Sequence, residues 1–63
     1  MGMVVNVQLI GADQEKTLFA AVSTRTEGGF FVVTEHFEGG KHLTTRYPVS
    51  RIAWVKEETD GNR

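Results

Sequence analysis

The side chains best suited to chemistry in this 63-residue chain lie near its C-terminus. Residues 41–56 contain four basic residues and no acidic one, whereas residues 1–40 contain two basic residues and five acidic ones. Lysine and arginine bind phosphates, and bases stack on aromatic and imidazole rings, so this segment favours single-stranded nucleic acid as a ligand. Charges that alternate outward on an ordinary solvated strand give a similar pattern. The predicted nucleic-acid contacts are Lys41, His42, Arg46 and Arg51.

The groups that usually support catalysis or metal binding are poorly placed. The chain has no cysteine, which excludes thiolate ligands, and only two histidines. In the register derived below, His36 and His42 lie on opposite faces of a hairpin and cannot share a metal ion. Glu35 and Glu38 also point to opposite faces, and we interpret them as solubilising charges. We therefore predict no catalytic residue, no metal site and no cofactor.

The length allows one domain, which we place at residues 1–58, followed by a polar, flexible tail at 59–63. A composition of 40% hydrophobic and 24% charged residues is typical of a folded globular chain. There is no apolar run close to the ~20 residues that span a bilayer, so we expect no membrane association. Without a secretory signal pattern, the cytoplasm is the expected location. A formal net charge of −1 disfavours non-specific coating of DNA.

Short runs rich in Val, Ile and Thr, separated by glycine pairs, predict an all-β fold. No segment of helical length carries apolar residues at helical spacing, so we expect no substantial α-helix. The five predicted strands are residues 4–10, 17–26, 30–37, 42–48 and 52–57. Together they predict a strongly bent antiparallel sheet forming a small barrel.

Turn lengths predict which side chains share a face. A two- or four-residue loop at Gly39-Gly40 pairs Phe37 with His42 and Val32 with Tyr47. The predicted core is then Phe30, Val32, Leu43, Tyr47, Val49, Leu18, Ala20 and Val22, closed by Val5, Val7, Leu9, Ile52 and either Trp54 or Val55. The opposite face holds Phe19, Ala21, Phe31, Val33 and Phe37 beside Arg25 and Arg46.

This second face is too apolar to be left in water. Exposed apolar patches commonly mark partner surfaces, and small chains often gain stability by oligomerising. We predict a homo-oligomer interface that includes Phe19, Phe31, Val33 and Phe37. The alternative is that the chain's own first or last strand covers this face.

Two stretches of the chain resemble strands of Sm-like proteins. Val5-Asn6-Val7-Gln8-Leu9 is similar to the first strand of that family, and residues 47–55 are similar to its closing stretch. The resemblance implies a five-stranded, SH3-like small barrel that assembles into a ring, with strand four of one protomer paired to strand five of the next. It also implies RNA contact by the loop after strand four, where Arg51 is best suited to phosphate.

The segment Tyr47-Pro48-Val49 is also similar to plasmid-encoded trimethoprim-resistant dihydrofolate reductases. Thr45 and Arg46 stand where that family has a pore-lining glutamine and aliphatic pair, so we predict that the chain is not an enzyme. The leading interpretation is an oligomeric Sm-like barrel that binds single-stranded RNA or DNA. The alternative is an SH3-like module that binds another protein through an apolar outer face, with no nucleic acid involved.

Overall fold

The computed structural model describes residues 2–59 and consists of five antiparallel strands in one sheet. The prediction of an all-β fold without a substantial α-helix is confirmed for this part of the chain. The strands are β1 (Met3–Leu9), β2 (Lys16–Glu27), β3 (Phe30–Phe37), β4 (Lys41–Pro48) and β5 (Ile52–Thr59). Their bounds lie within two residues of the predicted ones because glycine-containing turns and β-branched runs mark them clearly.

The strand order is β4-β3-β2-β1-β5, so β4 and β5 are the two edges of the sheet. β2 is long and joins both halves: its first part pairs with β1 and its second part pairs with β3. The ladder shifts between Ala21 and Ser23, where β2 changes partner. A bulge of this kind bends a strand and increases its twist. No hydrogen-bonded ladder joins the two edge strands within residues 2–59, so the curved sheet remains open between them.

The core lies on the concave side of this sheet. Its buried residues come from the first three strands, and partly buried side chains from β5 and β4 pack around them. The central cluster is Val5, Val7, Leu18, Ala21 and Val33, with Met3, Leu9, Phe31, Tyr47, Ile52 and Val55 against it. A core this small leaves much of the stability of a 63-residue chain to its backbone ladders and to any partner.

The predicted register of the β3–β4 hairpin is wrong by one residue. Phe37 pairs with Lys41 and His36 with His42, because the connection is a three-residue 3-10 turn at Glu38–Gly40. Gly39 and Gly40 both adopt positive φ, 84° and 83°, which lets the chain reverse within this short turn. The predicted loop of two or four residues pairs Phe37 with His42 instead.

This slip exchanges the two faces of β3 relative to β4, so the residues of β3 predicted to face outward face the core instead. The predicted apolar outer face is therefore wrong: Ala21 and Val33 have no exposed surface, and Phe31 is half-buried against the core. Several predicted core residues are instead exposed: Val22, Phe30, Leu43 and Val49. Other predicted core members pack in the core cluster or against it: Val5, Val7, Leu18, Leu9, Tyr47, Ile52 and Val55.

The C-terminal strand is longer than expected. β5 continues to Thr59, which pairs with Met3, so the strand includes the first residue of the predicted tail. Residues 60–63 of that tail lie outside the described residues. In the described part of the chain, no helix has the length and apolar character needed to cross a membrane.

Candidate nucleic-acid interface

The convex side of β2, β3 and β4 carries a polar, basic surface, which we call the outer face. In the ladders, Arg25 on β2 and Arg46 on β4 both lie opposite Val32 on β3. Val32 is only 1% exposed although it lies between two exposed arginines. Alternation along the strands extends this face to Thr34, His36, His42 and Thr44.

The charge on this face is mainly positive. The Arg25 Nε donates to Glu27 Oε1 at 3.0 Å, and both side chains are more than half exposed. This exposed ion pair contributes little to stability, but it offsets the charge of one arginine. Within residues 2–59 it is the only ion pair, so Arg46 has no carboxylate partner there. Arg46 is therefore the guanidinium most available to an anionic ligand on this face.

The structure brings together two of the four predicted nucleic-acid contacts. His42 and Arg46 share the outer face of β4, about 13 Å apart along the strand at ~3.3 Å per residue. Lys41 pairs with Phe37 and, by alternation, points to the opposite face. Arg51 lies in the 3-10 turn Val49–Arg51 and is exposed.

Arg51 stands at one end of the outer face. The Val49 amide donates to the Gly29 carbonyl at 2.9 Å, which holds the turn beside the β2–β3 connection. The Arg51 carbonyl accepts a hydrogen bond from the Ile10 amide at 2.8 Å, so its backbone is fixed while its side chain is exposed. Phe30 and Pro48 pair at this same end. A strand of nucleic acid lying along β4 would reach Arg51 after Arg46.

His36 is a member of this face that sequence reasoning missed. Its imidazole stacks on that of His42, with ring centroids 4.0 Å apart and an angle of 16° between planes. The expectation that these histidines lie on opposite faces is wrong because it used the slipped register. A three-residue turn in place of the assumed loop would have paired them correctly.

Glu35 lies on the concave side and is not the solubilising charge that we predicted. Its side chain is 6% exposed, and its Oε2 accepts a weak hydrogen bond from the Ala20 amide at 3.5 Å. Burial raises the pKa of Tyr47 above its usual value, and the nearby Glu35 carboxylate raises this pKa further. This pair belongs to the core side of the sheet, away from the outer face.

The predicted oligomer-interface residues are divided between the surface and the core. Phe19 is 75% exposed and Phe37 is 42% exposed, so both are accessible to a partner. Val33 is fully buried and Phe31 packs on the core cluster, so neither presents an exposed apolar surface. Phe19 borders a groove of about 470 Å³ formed with the start of β1 and the end of β5.

A second groove, of about 500 Å³, lies where the curved sheet stays open. It runs between the β2–β3 hairpin and β5 and is lined by Phe31, Val49, Ile52 and Val55, with Thr26 and Glu57 at its sides. Nearby, the Thr24 hydroxyl donates to Glu57 Oε2 at 3.2 Å and links the two sides. The groove offers an apolar surface with no basic side chain, so it does not resemble a phosphate site.

Trp54 is a further exposed aromatic side chain that could stack with a base. It is 44% exposed on β5, and the Lys56 ammonium lies 5.6 Å from the centre of one of its rings. This cation–π contact is worth about 0.5–1 kcal/mol at an exposed site. Because β5 is at the far edge of the sheet from β4, Trp54 does not join the outer face within one chain.

No protein-family model, curated protein or solved structure matches this chain. In the described residues there is also no group of three or more side chains that could hold a metal ion.

Proposed function

We propose that this chain is a homo-oligomeric, Sm-like β protein that binds single-stranded nucleic acid, RNA in the first place, on its outer face. The observation that carries the proposal is the position of Arg46, unpaired within residues 2–59, on the same face as Arg25, His36 and His42. Glu27 is the acidic residue that pairs with this surface, and it neutralises only one arginine. We assign the protein to the cytoplasm, where RNA is an available partner.

Arg46 and Arg51 would contact phosphates along β4 and its following turn. Guanidinium groups bind phosphate oxygens with charge-assisted hydrogen bonds, and this contribution depends little on base sequence. The stacked imidazoles and the partly exposed Phe30 supply flat surfaces for bases at the two ends of the face. A broad, sequence-tolerant site for a single strand is the function that this arrangement supports.

Assembly is proposed because the sheet has two unpaired edges. Open edges expose backbone amides and carbonyls, and pairing them with a neighbouring copy satisfies these groups. The β4 edge carries Lys41, His42 and Arg46, whereas the end of β5 carries Glu57 and Glu58. Opposite charges on the two edges favour head-to-tail contact, and Leu43, half-exposed on β4, would be covered by it.

A head-to-tail assembly would also change the electrostatics of the surface. Each protomer has a formal charge of −1 at pH 7, which alone disfavours binding of a polyanion. In a symmetric ring, the outer faces of successive copies would form a repeated basic surface. Nucleic-acid affinity is then expected to depend on assembly.

Anisotropy measurements with a labelled, mixed-sequence single-stranded RNA at two salt concentrations would test this proposal. Arg46→Ala should weaken binding about fivefold and reduce the salt dependence, because one phosphate contact is lost in each chain. Lys16→Ala is the matched control, since it removes one positive charge from an exposed position outside the outer face. Equal affinities and equal salt slopes for the two variants would contradict the proposal.

A protein-binding module remains the second candidate because of Phe19. This ring is 75% exposed beside a groove, a position that suits an apolar anchor from another protein. Two results together would make the second candidate replace the first. RNA would fail to bind the parent protein, and retention of a purified partner would be abolished by Phe19→Ser but not by Arg46→Ala.

A further inference from the structure

We propose that His36 and His42 form a binding site for a divalent transition-metal cation of the class that prefers imidazole, namely Zn²⁺, Ni²⁺ or Cu²⁺. The two residues are directly opposite each other in the β3–β4 ladder, and both side chains are exposed. Their rings are stacked with centroids 4.0 Å apart. This inference concerns a separate ligand and does not depend on nucleic-acid binding.

The ladder brings the two imidazoles close enough to share one metal ion. Zinc–imidazole bonds of ~2.0–2.1 Å at a tetrahedral metal place two ligand nitrogens roughly 3.3 Å apart. In the stack the two rings are nearly parallel, so their in-plane nitrogen lone pairs do not point at one common position. To bind the same ion, both side chains must rotate out of the stack about χ1 and χ2, and their exposure leaves room for that rotation.

The backbone holds the pair ready for a metal ion. β3 and β4 stay in register from Phe30 opposite Pro48 to Phe37 opposite Lys41, without a bulge. The histidine pair lies one step from the end of this ladder, next to the short turn at Glu38–Gly40. Because the hairpin fixes both Cα atoms, little conformational entropy is lost when the second imidazole binds.

The rest of the chain offers few other side chains that would compete with this pair for a transition-metal ion. These two imidazoles are the only ones in the sequence, and there is no cysteine. The described residues provide no third histidine, aspartate or glutamate at this position, so water would occupy the remaining coordination positions. An open site of this kind binds metal more weakly than a closed structural one and can accept an additional ligand.

Calorimetry with untagged protein would measure the site, with ZnCl₂ as the probe and MgCl₂ as a control for charge alone. We expect one Zn²⁺ per chain and no detectable Mg²⁺ binding, because Mg²⁺ prefers oxygen ligands. Imidazole proton resonances in NMR spectra should shift for both histidines together. Zn²⁺ should also raise the melting temperature of the parent protein, since the pair is assembled only in the folded state.

The matched control moves one imidazole to the other face. The double variant Lys41→His/His42→Gln keeps two histidines but places them on opposite sides of the hairpin. It also removes the positive charge of Lys41, and this removal by itself favours cation binding. A loss of Zn²⁺ affinity of tenfold or more in this variant, and also in His36→Gln/His42→Gln, would support the proposal. Equal affinity in parent and relocated variant, or one Zn²⁺ per two chains, would overturn it.

Discussion

Phe31 illustrates how a single position distinguishes core from surface. Its ring packs on the cluster that contains the fully buried Val33. We expect Phe31→Ala to lower the free energy of unfolding by about 2 kcal/mol, less than at a completely buried site because the side chain is only partly buried. Urea denaturation at low protein concentration measures this loss without a contribution from assembly.

Phe37 is the matched control for that variant. It is on the same strand and is 42% exposed, so Phe37→Ala should cost less than about 1 kcal/mol. If the two alanine variants unfolded at the same urea concentration, or if Phe37→Ala were the less stable, Phe31 would not be a core residue and the register would need revision.

Tyr47 provides a titration that can be followed by itself, since the chain has one tyrosine. Burial, and then the Glu35 carboxylate, raise its pKa above 10. The tyrosinate absorbance should therefore appear at a higher pH in the folded protein than in urea. In Glu35→Gln the midpoint should fall part of the way back, because burial of the ring remains.

The same shift makes stability depend on pH in the alkaline range. A raised pKa means that the unfolded chain loses the Tyr47 proton first, so the free energy of unfolding falls as pH rises above about 10. Tyr47→Phe should lose less stability than the parent over that range. A tyrosinate midpoint that is identical in folded and unfolded protein would contradict the assigned environment.

The edge strand β4 is the element through which we predict that copies of the chain assemble. Leu43 is half-exposed on this edge strand, so Leu43→Lys should leave the monomer fold intact, with a change below about 1 kcal/mol. A lysine on an edge opposes pairing with another strand. Sedimentation should then show the parent as an assembly of 7.0 kDa subunits and the variant as a monomer.

Ile10→Lys is the control for this change. Ile10 is 56% exposed and follows β1, away from the β4 edge, and it receives the same substitution. It should sediment like the parent. A monomeric parent, or loss of assembly in both variants, would contradict edge pairing through β4.

The elements were predictable from sequence, and their pairing was less so. Glycine pairs and β-branched runs mark the ends of β3 and β4, since few residue types adopt positive φ. The sequence Glu38-Gly39-Gly40, however, is compatible with loops of two, three or four residues, and only one length gives the observed register. The bulge between Ala21 and Ser23 likewise leaves no distinct mark in the residue types.

The candidate site was predictable to the same extent. The basic segment was visible from composition, and alternation along β4 correctly groups His42 with Arg46. The pairing of His36 with His42 depends on the length of the β3–β4 turn, and the burial of Glu35 depends on the curvature of the whole sheet. These tertiary features decide which side chains meet, and no local pattern encodes them.

For the whole molecule, the bent sheet separates two chemical environments. The concave side gathers the apolar cluster with Glu35 and Tyr47, and the convex side of β2–β4 presents arginines and imidazoles. The net charge of −1 conceals this separation, because Glu27 offsets only one of the two arginines on the convex side and Glu35 is buried on the concave side. The proposed function therefore depends on where charges lie, and the molecule's total charge is a poor guide to it.

Nucleic-acid binding by the outer face is tested most directly by mapping amide chemical shifts in NMR spectra while a short single-stranded RNA is added to the protein. The proposed site predicts the largest changes in Thr34, His42, Thr44 and Arg46, with smaller ones at Arg51. The changes should weaken as salt is raised, since phosphate contacts release counterions. Changes confined to the surroundings of Phe19, or no changes at low salt, would contradict nucleic-acid binding by the outer face.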